Sequence, residues 1–122
     1  MHILIADDSS AIQQRLVKIV SRIHNTRIVG LAGNGIEALN LTRDAKPDVV
    51  LLDLNMPFMG GIEVIRTIKK DYPATIILVL TNFATSSHKD SCMKLGVKYF
   101  FDKTIEFEQA IDAIEELALK IN

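Results

Sequence analysis

Asp7, Asp8, Asp53, Thr81 and Lys103 are the side chains of this sequence best equipped for phosphate chemistry, and each stands at or just beyond the end of a short apolar run. Asp7-Asp8 follow Ile3-Leu4-Ile5-Ala6, Asp53 follows Val49-Val50-Leu51-Leu52, Thr81 follows Ile76 to Leu80, and Lys103 comes soon after Tyr99 to Phe101. Carboxylates gathered within a few ångströms raise one another's pKa, so such a cluster is strained at neutral pH until a cation joins it. Magnesium suits it, because Mg²⁺ takes a few carboxylate or carbonyl oxygens, keeps several waters and leaves room for phosphate. Calcium would need more oxygens, no calcium-loop pattern is present, and His2, His24 and His88 lack the spacing of a zinc site. Asp53 is the natural phosphoacceptor: its carboxylate can form an acyl phosphate, with Lys103 pairing to one phosphoryl oxygen and Thr81 donating to another.

These residues converge only if the runs are neighbouring strands. Each run is short, branched and nearly continuous, the pattern of a strand buried on both faces of a parallel sheet. Strands are expected near Ile3 to Ala6, Arg27 to Ala32, Val49 to Leu52, Ile76 to Leu80 and Tyr99 to Phe101, the second at an edge because of Arg27 and Gly30. Between them run stretches of helical period, clearest in Ile12, Leu16, Ile19, Val20 and Ile23 and in Phe107, Ala110, Ile111, Ile114 and Leu117. Ser9 or Ser10 can cap the first helix, Asn34 with Glu37 resembles a capping box, and Gly96 can close the fourth helix in the left-handed conformation. Ile62, Ile65 and Ile68 mark the buried side of a third helix, while Ala84 to Leu95 is mostly polar and weakly anchored. Alternating strands and helices specify an α/β domain with helices on both faces, whose strand ends border a ligand crevice.

At 122 residues the sequence is expected to form one domain, 1–122, removing roughly two thirds of its unfolded surface from water. Fourteen basic against fifteen acidic side chains leave a net charge of −1, which gives no reason to expect nucleic acid or an anionic membrane as the main partner. The single Cys92 cannot form an internal disulfide, the opening residues read as a strand, and no apolar run approaches the roughly 20 residues that span a bilayer. A cytoplasmic location is expected.

Asp7-Asp8, the segment Asp53-Leu54-Asn55-Met56-Pro57 followed by Gly60-Gly61, Thr81, and Asp102-Lys103 together resemble the receiver domain of bacterial two-component response regulators. The resemblance covers essentially the whole chain, and its strength lies in the order of these elements on successive strand ends. It implies a flavodoxin-like (βα)5 three-layer sandwich with parallel strand order 2-1-3-4-5. By the family pattern, Asp8 and Asp53 would bind Mg²⁺ through their side chains, Asp7 largely through water, and Asn55 through its backbone carbonyl. Asp53 would take its phosphoryl group from a histidine kinase or phosphotransfer protein. Thr81 would then move toward it while Phe100 turns inward, altering the face of the fourth helix, fifth strand and fifth helix that a downstream protein reads. The implied role is a non-enzymatic, single-domain phosphoacceptor switch.

The sequence departs from the family at several points. Thr104 stands where many receivers have proline; a trans Lys103-Thr104 bond is expected, since cis would cost about 3 to 4 kcal/mol, with Thr104 as N-cap and Glu106 and Glu108 in the first turn of the last helix. Asn82 stands just after Thr81, where the family commonly has a small residue, and bulky Phe83 follows it; with Asn55 they are expected to modulate access to the phosphate. Phe100 lacks the hydroxyl of the tyrosine common at its position. Two competing readings follow from the same residues: a magnesium-dependent aspartyl-phosphate phosphohydrolase, which Asn55 disfavours because such enzymes commonly carry a second acid there, and a receiver-fold scaffold that acts without phosphorylation.

Overall fold

In a computed structural model, which describes residues 1–82 and 84–121, the expected alternation folds into one five-stranded parallel sheet. The elements are β1 (His2–Ala6), α1 (Ser10–Val20), β2 (Arg27–Ala32), α2 (Gly35–Ala45), β3 (Val49–Leu52), α3 (Gly61–Asp71), β4 (Ile76–Thr81), α4 (Ser86–Lys94), β5 (Tyr99–Asp102) and α5 (Phe107–Lys120). The strand order β2-β1-β3-β4-β5 is the flavodoxin-like order. β2 is an edge strand, and its register against β1 slips between Ile3 and Leu4, a local bulge of the kind that discourages further pairing at an edge.

The near-continuous apolar runs make physical sense because successive side chains serve different cores. Leu4, Ala6, Val50, Leu52, Ile77 and Val79 face one layer, packed against Val64, Ile65 and Ile68 of α3 and Cys92 of α4. Ile3, Ile5, Val49, Leu51, Leu78 and Leu80 face the other, against Leu16 and Val20 of α1 and Ile114 and Leu117 of α5. Every residue of β3 is buried, so the sheet is covered on both sides.

Ser9, not Ser10, caps α1 by accepting from the Ile12 amide, and Asn34 caps α2 by accepting from the Glu37 amide. Glu37 reaches back to the Gly33 amide, one residue earlier than the usual reciprocal bond. Gly96 (φ +100) closes α4, with Val97 N–H donating to the Cys92 carbonyl and Gly96 N–H to that of Met93. Within α4 Cys92 alone is fully buried, in keeping with a weakly anchored helix. No helix of the described residues is long and apolar enough to cross a membrane.

One expected cap is corrected. α5 begins at Phe107, and Thr104 is not its N-cap. The Asp102 carboxylate accepts from the Thr104 and Ile105 amides, which folds the chain into a turn two residues too early for Thr104 to cap the helix. Glu106 sits at the cap position and turns its carboxylate back to the Asp102 amide, leaving Glu108 as the acid of the first turn. The Lys103–Thr104 peptide is trans, as expected.

Asn25 ties the far end of α5 to the body. In the left-handed conformation (φ 63), its amide donates to the Ala118 carbonyl at 3.0 Å and the Ile121 carbonyl at 2.6 Å, at the helix end where carbonyls run out of intrahelical donors. Asn25→Ala is expected to cost about 1 to 2 kcal/mol, read as a lower urea midpoint at unchanged slope. Asn25→Gly, which tolerates the backbone but lacks the donor, should recover only part of the loss.

Candidate functional site

Because β1 and β3 are paired, as are β4 and β5, the residues that follow them open onto one edge of the sheet. The pairing continues one step beyond the strands: Asp7 N–H donates to Ala32 O, Asp53 N–H to Ala6 O, and Lys103 N–H to Thr81 O, each at 2.9 Å. Backbone hydrogen bonds therefore fix the starting points of the side chains with chemistry.

The structure brings the three acids together: Asp7, Asp8 and Asp53 each offer a carboxylate oxygen, all within 4.8 Å of one another. Asp7 and Asp53 are buried, whereas Asp8 is exposed. Lys103 closes the group from β5, its Nζ 2.7 Å from Asp7 Oδ2 and 3.1 Å from Asp53 Oδ2. The remaining oxygens are held by the backbone: Ser9 N–H donates to Asp7 Oδ1 at 2.8 Å and Asn55 N–H to Asp53 Oδ1 at 3.3 Å. Thr81 is fully buried at the end of β4.

Burial pushes the Asp7 carboxyl above the ordinary carboxylate range, a rise that the hydrogen bond from Lys103 only partly offsets. Burial also opposes the charge on Lys103, but its hydrogen bond to Asp7 and the attraction of both acids outweigh that cost and hold the ammonium above the usual lysine value. The cluster thus has one internal cation for its two buried acids, and Asp8 faces the solvent beside them. Hard oxygen donors on loops, one of them solvent-facing, form a set suited to a divalent cation that keeps part of its hydration shell.

Phe100 is buried in the layer that holds Cys92 and Val97. It pairs in register with Val79, two residues before Thr81, so Phe100 and Thr81 belong to the same face of the sheet. Tyr99 and Phe101 point the other way and stack on each other, ring centroids 5.9 Å apart. Asn55 and Asn82 are exposed, and Asn82 accepts a hydrogen bond from the Thr104 hydroxyl at 3.3 Å, bridging the loops after β4 and β5. The expectation for Phe83 lies outside the described residues.

Sequence reasoning missed Gln13. Its amide donates to the Asp7 carbonyl at 2.6 Å and to the Ala32 carbonyl at 3.0 Å, stapling the loop that carries Asp7-Asp8 to the end of β2. The available signal was positional: Gln13 lies one helical turn after the cap Ser9, and helical side chains lean toward the N-terminus. Gly61 has a similar hidden role, since a Cβ there would lie 2.6 Å from Leu54 Cα, so its absence lets α3 start tight against the loop that follows Asp53.

Comparison with known proteins agrees with this geometry. A family model described as the response regulator receiver domain matches residues 3–115. The Bacillus subtilis transcriptional regulatory protein YhcZ is 35% identical over 111 residues, covering 91% of this chain and 52% of that protein. The response regulator GacA of Pseudomonas aeruginosa is 29% identical over 115 residues, covering 94% of this chain and 54% of that protein. A protein-glutamate methylesterase of Hahella chejuensis is 39% identical over 84 residues, 69% of this chain and 24% of that protein. The chain thus spans about half, or less, of the length of the curated relatives it matches. Among solved structures, a LuxR-family two-component response regulator from Aurantimonas superimposes with a TM-score of 0.89 at 27% identity, covering 98% of this chain and 85% of that one. The signal receiver domain of a DNA-binding response regulator from Colwellia psychrerythraea gives 0.88 at 27% identity, with 98% of each chain covered. Residues 3–115 thus place this chain in the receiver-domain family of two-component response regulators.

Proposed function

We propose that residues 1–122 form a single receiver domain in which Asp53 is the phosphoacceptor, Asp7, Asp8 and the Asn55 carbonyl complete a magnesium site with it, and Lys103 and Thr81 hold the phosphoryl group. The observation that carries this reading is the meeting of three carboxylates within 4.8 Å beside the Lys103 ammonium. Asp8 and Asp53 would bind Mg²⁺ directly, Asp7 through water. When bound, Mg²⁺ offsets negative charge on the acids and on the transferring phosphoryl group.

The transfer needs no further catalytic acid. A carboxylate oxygen of Asp53 attacks the phosphorus of a phosphohistidine, the new P–O bond forms as the P–N bond breaks, and the released imidazole takes up a proton. Lys103, already paired with Asp53, exchanges that partner for a phosphoryl oxygen, and the Thr81 hydroxyl donates to another. Movement of Thr81 on the face it shares with Phe100 gives a packing route to the surface of α4, β5 and α5. α4, anchored through few buried groups, is the element best suited to shift. The proposed donors are a histidine kinase or a phosphotransfer protein, the reader is a downstream protein, and the setting is the cytoplasm. Exposed Asn55 and Asn82 are proposed to set how easily water reaches the acyl phosphate.

The test is labelling with a small phosphodonor such as acetyl phosphate. Intact mass should rise by one phosphoryl group in magnesium and stay unchanged in chelator, with borohydride trapping marking Asp53. Labelling that proceeds equally in chelator, or that maps elsewhere, contradicts the assignment.

A further inference from the structure

Asp8 is the least constrained member of the acid cluster. Asp7 is held at both carboxylate oxygens, by Ser9 N–H and by Lys103 Nζ, and Asp53 is held likewise by Asn55 N–H and Lys103 Nζ. The Asp8 carboxylate is exposed, and among the described residues it takes part in no hydrogen bond or ion pair. Its direction is therefore set by the backbone that carries it.

That backbone is clamped one residue earlier. Asp7 N–H donates to Ala32 O at 2.9 Å, and the Gln13 side-chain amide donates both to Asp7 O at 2.6 Å and to the same Ala32 O at 3.0 Å. The three bonds close a ring around Asp7, and Asp7 O lies in the peptide plane that leads into Asp8. Both neighbours of the Gln13 amide are carbonyl oxygens, which only accept, so its nitrogen and not its oxygen must face them. Gln13 is itself fixed, half-buried and with its backbone N–H on Ser9 O in the first turn of α1. We propose that Gln13 is a positioning residue for the metal: by holding the peptide between Asp7 and Asp8, it aims the Asp8 carboxylate at a divalent cation. The proposal rests on the magnesium site put forward above and assigns to it a residue that touches neither the ion nor the phosphoryl group.

The role separates metal affinity from group transfer. Without the two Gln13 donors the Asp7–Asp8 peptide is free to turn, and magnesium binding must then order Asp8 as well, which weakens it. Asp53 and Lys103 keep their own backbone anchors, on Ala6 O and Thr81 O, so a site filled with magnesium accepts the phosphoryl group as before. A glutamine suits this task because one neutral group supplies both donors, leaving the negative charge of the acids undiminished for the cation.

Calorimetric titration of the metal-free chain with magnesium chloride, paired with acetyl phosphate labelling at saturating magnesium, tests the proposal. Gln13→Met, which keeps the length of the side chain and removes both donors without changing charge, should raise the magnesium dissociation constant roughly tenfold. Its labelling rate at saturating magnesium should stay within about twofold of the wild type, a split that general loss of stability does not produce. Gln13→Asn ends one methylene short of the carbonyls and should shift the constant in the same direction; it decides the matter should Gln13→Met not fold. Asn25→Ala, destabilised at the far end of α5, should bind magnesium as the wild type does. A wild type that binds no magnesium removes the site and this proposal with it. A wild type that binds, with a constant that neither Gln13 variant changes, overturns the role of Gln13 alone, as does a loss of affinity that Asn25→Ala shares.

Discussion

Asp53→Asn is expected to take up no phosphoryl group under conditions that label the wild type, and to melt no earlier than it. The first half follows from chemistry: the amide keeps the size of the side chain and an oxygen to accept from Asn55 N–H, but it lacks the anionic oxygen that forms the new bond. The second half follows from charge. Asp53 and Asp7 are buried and share one ammonium, so removing the charge from Asp53 leaves a one-to-one pair between Lys103 and Asp7. The repulsion that Asp53 contributes to the raised Asp7 carboxyl disappears as well. Intact-mass analysis after acetyl phosphate treatment, with a thermal melt on the same sample, reads both effects. Labelling of Asp53→Asn to the wild-type extent removes Asp53 from the role; lost labelling with a markedly lower melting point makes the carboxylate a structural group first.

How far the sequence reaches can be judged from these same residues. The bounds of β2 and β3 were readable because Arg27 to Ala32 and Val49 to Leu52 are short runs flanked by residues that interrupt a strand. The acid cluster was readable because its members end apolar runs, and in a parallel sheet the ends of neighbouring strands come together. Gln13 was not, since its place one turn after Ser9 says which way its side chain leans but not that the carbonyls of Asp7 and Ala32 lie in front of it. The start of α5 was misread for a related reason: Thr104 has good cap chemistry, but Asp102 accepts from the Thr104 and Ile105 amides and turns the chain there, so the helix starts later, at Phe107. Local propensity names the candidates for such bonds, and tertiary placement selects among them.

Lys103→Ala should produce the largest loss of stability of any single change at the site, and magnesium should restore part of it. The Lys103, Asp7 and Asp53 side chains are 8%, 4% and 7% exposed, so solvent screens their charges little. Removing one member of a buried ionic group costs about 3 to 5 kcal/mol, because the partners remain buried and uncompensated. Here the lower end applies, about 3 kcal/mol, because one of the acids can escape by taking up a proton. Asp7 is the acid to do so, being already pushed upward by burial. The pH dependence distinguishes this from lost packing. In the wild type, pairing holds the Lys103 ammonium above the ordinary lysine value, so its contribution is complete at neutral pH and is lost only in alkali, as pH rises through the folded-state value. In the variant, stability at neutral pH should instead rise as the medium is made mildly acidic and Asp7 protonates, until general acid unfolding sets in. Magnesium, binding the folded acids and not the unfolded chain, should raise the melting point of Lys103→Ala more than that of the wild type, since it replaces the ammonium that paired with both Asp7 and Asp53. Lys103→Met, which keeps most of the buried volume, should behave like Lys103→Ala. A variant that melts with the wild type in chelator would mean that the two buried acids are not both charged in the folded state, and the case for a cation site at Asp7 and Asp53 would lose its electrostatic basis.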